Sequence, residues 1–234
     1  MVTKRILCLA NSRKPSGRCV AGREIGGGAG PWIRPVSARP GEEVSEHERQ
    51  YEDGSDPRVL DVVDIPLIRA VPHACQTENW LLDPDRYWRR DRRVGWDELQ
   101  PFVEAPATLW ENGHSTSRGD HDEIPQHIAD AQSRSLYLIG VEQVELRVFA
   151  PSAQFGNPKR RVQAFFATRR VEYRMWVTDP VVERAYLARA DGHYRLGACC
   201  LTISLGEPFR KSDGHSCRYK LVAAIIRRDE GPWP

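Results

Sequence analysis

Apolar and polar positions alternate most regularly near the C-terminus. Residues 196–205 (LGACCLTISL) put Cys199, Leu201, Ile203 and Leu205 on one face and Ala198, Cys200, Thr202 and Ser204 on the other, the period of two that a pleated strand requires. Residues 219–226 (YKLVAAII) are apolar on both faces, as expected of a strand whose neighbours cover both sides of a small sheet or barrel. The polar stretch between them, 206–218 (GEPFRKSDGHSCR), reads as their connecting loop.

Upstream, the pattern predicts one strand over 136–149, a turn at 155–158 (FGNP), and strands at 161–169 and 171–177. Asp179 and Pro180 then supply an N-cap and a first-turn proline for a helix over 181–189, which Asp191 and Gly192 end. Three strands, a helix and two strands is the order of an oligonucleotide/oligosaccharide-binding (OB) barrel. The N-terminal part reads similarly. Strands are expected at 6–10, 18–24 and 32–36, with a turn at 11–17, a glycine hairpin tip at 26–30, a short exposed helix or polar loop at 42–50, and a strand at 59–68 carrying Val59, Val63, Ile65 and Leu67 on one face. Its fifth strand is not evident. The glycine cluster has no Gly-Lys-Ser/Thr after it and lacks the dinucleotide register, so a hairpin tip rather than a phosphate loop is expected.

Between these parts lies a stretch without clean periodicity, holding Trp80, Trp88, Trp96 and Trp110, the charge-dense run 83–93 (DPDRYWRRDRR), and a helix candidate over 96–103. The expected organisation is therefore mostly β, with two OB-like barrels at 1–82 and 135–234 joined by an irregular tryptophan-rich arm, 83–134, with short helices.

The strings NSRKPSGRCVAG and GPWIRPVS near the N-terminus, TENWLLD in the middle, and LTISLGEPF with YKLVAAII at the end resemble the dual OB-containing domain family of prokaryotic proteins. The resemblance covers nearly the whole chain. It implies two OB-like barrels and, by analogy of fold, a binding role; it implies no catalytic residues.

Composition adds local rather than global information. The formal net charge is only +2, which advertises no polyanionic partner by itself. Residues 1–40, however, hold eight cations and one acid, and residues 41–64 hold nine acids and two arginines. Six cysteines without a C-x-x-C spacing are expected to be reduced thiols in the cytoplasm. The apolar run 6–10 is too short for a signal-peptide core or a membrane span.

The candidate chemistry is a surface for nucleic acid, single-stranded in the first instance, or for a nucleotide, where cations meet phosphates and rings stack on bases. The first barrel offers Arg13, Lys14, Arg18, Arg23, Trp32 and Arg34, and the second offers Lys159, Arg160, Arg161, Tyr173, Arg174 and Trp176. Arg174 and Trp176 project to one face with period two. Arg210 and Lys211, with His215, join them from the last loop. His114, Asp120 and His121, with Asp122 and His127, suit a divalent metal but match no zinc spacing. Cys8 and Cys19 sit among basic residues that would lower a thiol pKa, and Cys217 lies near His215. The resulting expectation is a recognition module without catalysis, cofactor or membrane contact of its own, of a kind that could serve prokaryotic defence or nucleic-acid maintenance. Two alternatives stay open: a protein-interaction subunit docking through the acidic stretch 41–64, and a metal-dependent enzyme acting on nucleotides or phosphodiesters.

Overall fold

The computed structural model describes residues 1–229 and Trp233; the end of the expected second barrel, residues 230–232 and 234, lies outside the described residues. The chain divides into two compact units, Met1–Val103 with Ser133–Leu136, and Glu104–Gln132 with the chain from Tyr137 on. The stretch 83–134, expected as a connecting arm, is thus shared out: its first part belongs to the first unit and most of the rest to the second.

The first unit contains β1 (Val2–Lys14), β2 (Gly17–Ile25), β3 (Ala29–Val36), α1 (Glu46–Arg49), β4 (Asp61–Ala70), β5 (Asn79–Leu82), β6 (Arg89–Arg93) and α2 (Trp96–Leu99). β1 pairs antiparallel with β2 along its second half and with β4 along its first half. β2 pairs with β3, β3 runs parallel to β5, and β5 is antiparallel to β4. The order 1-2-3-5-4-1 closes the barrel, so the fifth strand is Asn79–Leu82. Residues 11–14, expected in a turn, extend β1 instead, because Asn11, Ser12, Arg13 and Lys14 find partners on β2. Closure depends on Gly22, where a Cβ would lie 2.1 Å from the Leu7 carbonyl oxygen. The neighbouring register shift between Cys8 and Ala10 marks a bulge at this close approach.

Ile6, Cys8, Val20, Ile33, Val63, Ile65, Leu67, Leu82 and Trp88 fill the first core. Val63, Ile65 and Leu67 keep the expected alternation, whereas Val59 lies in the turn before β4. α1 is a single turn with a capping box: Glu48 N–H donates to Ser45 Oγ at 3.3 Å, and Ser45 N–H donates to the Glu48 carboxylate at 2.8 Å. The charge-dense run forms β6, a wholly exposed strand paired to the free edge of β4.

The second unit contains β7 (Glu123–Pro125), α3 (Gln126–Asp130), β8 (Leu136–Val141), β9 (Val144–Phe149), β10 (Arg161–Thr168), β11 (Val171–Val177), α4 (Pro180–Leu187), β12 (Gly192–Leu196), β13 (Cys199–Arg210) and β14 (Ser216–Arg227). The single strand expected over 136–149 is broken at Glu142–Gln143. β8 pairs with β13 while β9 pairs with β10, so one bent segment closes this barrel too. β11 runs parallel to β14, giving the same order, 1-2-3-5-4-1.

Asp179 caps α4 as expected, accepting from Val181 N–H at 2.9 Å, and its other oxygen accepts from Ile225 N–H at 3.2 Å. Burial raises this carboxyl to about 6. The helix ends at Leu187, two residues short of expectation, and Gly192 instead opens β12 on the edge of β9. The expected loop 206–218 is mostly strand: β13 and β14 stay paired out to Arg210 and Ser216, leaving the turn 211–215. Among the described residues, no helix is long and apolar enough to cross a membrane.

Candidate nucleic-acid interface

On β9, Val144, Leu146 and Val148 point into the second barrel, which sends Glu145, Arg147 and Phe149 outward. β11 repeats the pattern, with Tyr173, Met175 and Val177 inside and Arg174 and Trp176 outside. Cross-strand partners share a face of the sheet. The outer side of the sheet therefore carries Phe149 beside Arg161, Arg147 beside Gln163 and then Trp176, and Glu145 beside Phe165 and then Arg174; Gln163, at the middle of these rows, is buried and donates to the Arg118 carbonyl at 2.6 Å. β12 extends two of these rows with His193 and Arg195.

The side chains on this face are layered. The Arg161 guanidinium lies 3.9 Å from the centre of the Trp176 ring, and the Phe149 ring stacks on Trp176 at 5.9 Å with an interplanar angle of 22°. Arg147 covers Phe149 at 4.2 Å and Arg174 covers Phe165 at 4.7 Å. Such contacts order a guanidinium through its flat face. Two acids temper the charge. Glu145 accepts from His193 at 2.7 Å and is held below the usual carboxylate range chiefly by that bond. Asp120 pairs with Arg174 at 3.0 Å, and its backbone adds a short bridge to the edge of β11.

Around the face, the β10–β11 turn consists of Arg169 and Arg170, both with left-handed backbone (φ 47° and 66°), positions that two-residue hairpins usually give to Asn-Gly. Lys159 is exposed in the loop between β9 and β10, where Phe155 is 77% exposed. Arg160 is committed elsewhere, to Asp191 at 2.6 Å and the Leu187 carbonyl at 2.9 Å behind α4. Arg210 is exposed near the end of β13, and Lys211 is bound to Glu123 at 2.6 Å. Lys211 and His215 line a separate cavity of about 680 Å³ with β7 and α3.

The first barrel does not gather its expected residues on one face. Arg13 and Arg18 are cross-strand partners at the β1–β2 turn, where Lys14 reaches the Gly41 carbonyl at 3.2 Å. Arg23 and Trp32 pair further along, on the opposite face of β2 from Arg18. Arg34 departs from its expected surface role: it is only 4% exposed, forming an ion pair with Glu78 at 2.7 Å. Ser135 bridges the two, accepting from Arg34 and donating to Glu78.

A family model, the dual OB-containing domain, matches residues 4–225 of the chain. The chain belongs to this family. No curated protein matches it.

Within this dual OB-containing domain, the metal candidates do not converge. His121 Nδ1 accepts from Gly113 N–H at 2.9 Å, Asp122 accepts from Thr116 N–H at 2.7 Å, and His114 contacts Glu111 at 3.2 Å. Among the described residues, no three His, Cys, Asp or Glu side chains form a metal-holding group. The thiol expectation is reversed for Cys8, which burial pushes up to about 12; burial likewise raises Cys217. The sequence reading of the dual OB chain passed over Arg147, Phe149 and Phe165. Their signal was the alternation in VELRVF and in RVQAF, the first five residues of β10, where Arg161, Gln163 and Phe165 face away from Val162 and Ala164.

Proposed function

We propose that the chain is a recognition module that binds single-stranded nucleic acid across the outer face of β9, β10 and β11. The layered column of Phe149, Trp176 and Arg161 carries this reading. Bases stack on aromatic rings and on guanidinium planes without regard to sequence, while the N–H edge of a guanidinium lying flat on a ring is directed at phosphate oxygens. The strand-two and strand-three face is also where OB barrels commonly take oligonucleotides.

The test is fluorescence anisotropy of labelled single-stranded DNA and RNA of about 16 nucleotides, the upper site size for one barrel, over a salt series. Binding is expected at low salt, falling linearly in log–log form as salt rises. Arg161→Gln should reduce that slope by about one. Trp176→Ala should weaken binding about 5- to 150-fold, the loss of about 1–3 kcal/mol from one stacked base. Absence of binding to both polymers at low salt would sink the proposal.

A further inference from the structure

The first barrel holds a cavity of a different kind. It measures about 370 Å³ and is lined by Lys4, Arg23, Trp32, Glu78, Trp80 and Arg134, among others. Two indole rings and three cations thus border one carboxylate, and that carboxylate, Glu78, is bound to the buried Arg34. Lys4 lies 4.6 Å from the centre of the Trp80 ring while holding both oxygens of Glu24 at 2.9 Å. Arg23 lies 5.7 Å from the Trp32 ring and donates to the Gly30 carbonyl at 2.5 Å and the Ala29 carbonyl at 3.3 Å.

One wall is the chain itself at Ser133 and Arg134. Thr77 Oγ1 donates to the Ser133 carbonyl at 2.8 Å, and Ser135 is fastened to Arg34 and Glu78. That strap, held to β3 and to the β4–β5 connection, closes one side of the cavity. The volume falls near the lower end of the range for small-molecule sites, about 300–1,000 Å³.

We propose that this cavity binds one nucleotide unit, an aromatic base beside an indole ring with its phosphate toward Arg23 and Arg134. The unit can come from a free mononucleotide or from the phosphorylated end of a strand, because the shared chemistry is a base carrying a terminal phosphate. The site is independent of the β9–β11 face, and either can fail without the other.

The experiment uses the full chain carrying Trp176→Ala, so that polymer binding at the other barrel is weakened. AMP, GMP, CMP and UMP are titrated separately while tryptophan fluorescence is followed, with inorganic phosphate and the four nucleosides as parallel arms. Saturable binding of at least one nucleotide is expected, weakened about tenfold or more by Arg23→Gln, as for the loss of one charge-assisted phosphate contact. Arg134→Gln, a change at the wall rather than in a strand, should weaken it in the same direction. An oligonucleotide bound only when terminally phosphorylated, and lost with Arg23→Gln, would assign the strand end as the source; mononucleotide binding alone would assign the free nucleotide. No saturable binding by any nucleotide, phosphate binding as tightly as the nucleotides, or nucleotide binding indifferent to both substitutions would each overturn the proposal.

Discussion

The third strand of each barrel carries a tryptophan and an arginine two positions apart: Trp32 and Arg34 on β3, Arg174 and Trp176 on β11. Both pairs point away from their barrel's core, yet they end in opposite environments. Trp32 and Arg34 are 7% and 4% exposed, and the arginine is consumed by Glu78 and Ser135. Arg174 and Trp176 remain partly exposed among Phe149, Arg161 and Phe165. The connections between strands two and three differ as well. In the first barrel, glycines occupy the unusual backbone, Gly27 and Gly28 at φ 132° and 138°, whereas the second uses Arg169 and Arg170 at positive φ. Residue type and strand parity are alike in the two barrels. What separates the buried arginine from the partly exposed one is the segment that covers it.

The largest effect expected from this contrast is on stability. Glu78→Gln or Arg34→Met leaves one charge or its neutral remnant in a buried site, a loss of about 3–5 kcal/mol in the first unit by denaturant titration, while Arg34→Met with Glu78→Leu should recover much of it. A single-substitution cost near zero would break the comparison by showing that Arg34 is solvated.

A second test uses a buried cation of the other barrel that has no such ion pair among the described residues. Lys220 is fully buried, its Nζ donating to the Glu111 carbonyl at 2.6 Å, and burial pushes its pKa down from 10.5 to about 8. Below pH 8 both folded and unfolded chains carry the proton, and the cost of burying the ammonium is present in full. Between about 8 and 10.5 the unfolded chain binds more protons, so stability rises with pH. Relative to Lys220→Met, the native chain should gain about 3 kcal/mol across that window, at 1.36 kcal/mol per unit. Parallel pH profiles for the two proteins would contradict this.

The smallest effect concerns the β10–β11 turn. Replacing Arg169-Arg170 with Asn-Gly should stabilise the second unit by about 1 kcal/mol, since these residues accept left-handed backbone more readily. If the arginines serve the interface, oligonucleotide affinity should fall in the same variant; unchanged affinity would confine the interface to the sheet.

Much of this architecture was legible in the residues. The Asp179-Pro180 helix start, the glycine tip and the Arg174–Trp176 alternation all depend on local chemistry, which a sequence displays directly. β5 was not legible, because Asn-Trp-Leu-Leu is four residues with no alternation and becomes a strand only by pairing with β3 and β4. β6 has no apolar position at all. The fate of Arg34 was hidden for another reason: parity tells which side of a strand a residue takes, but its cover, Ser135, lies 101 residues away.

The bent segment of β8 and β9 has a mechanical consequence. The same backbone that seals the second barrel against β13 carries Glu145, Arg147 and Phe149 on its outer side. Tension on a strand held at Arg147 and Phe149 would pass into the β9–β10 hydrogen bonds and through Glu142–Gln143 into the seam. Grip on such a strand and closure of the barrel would then share one load path.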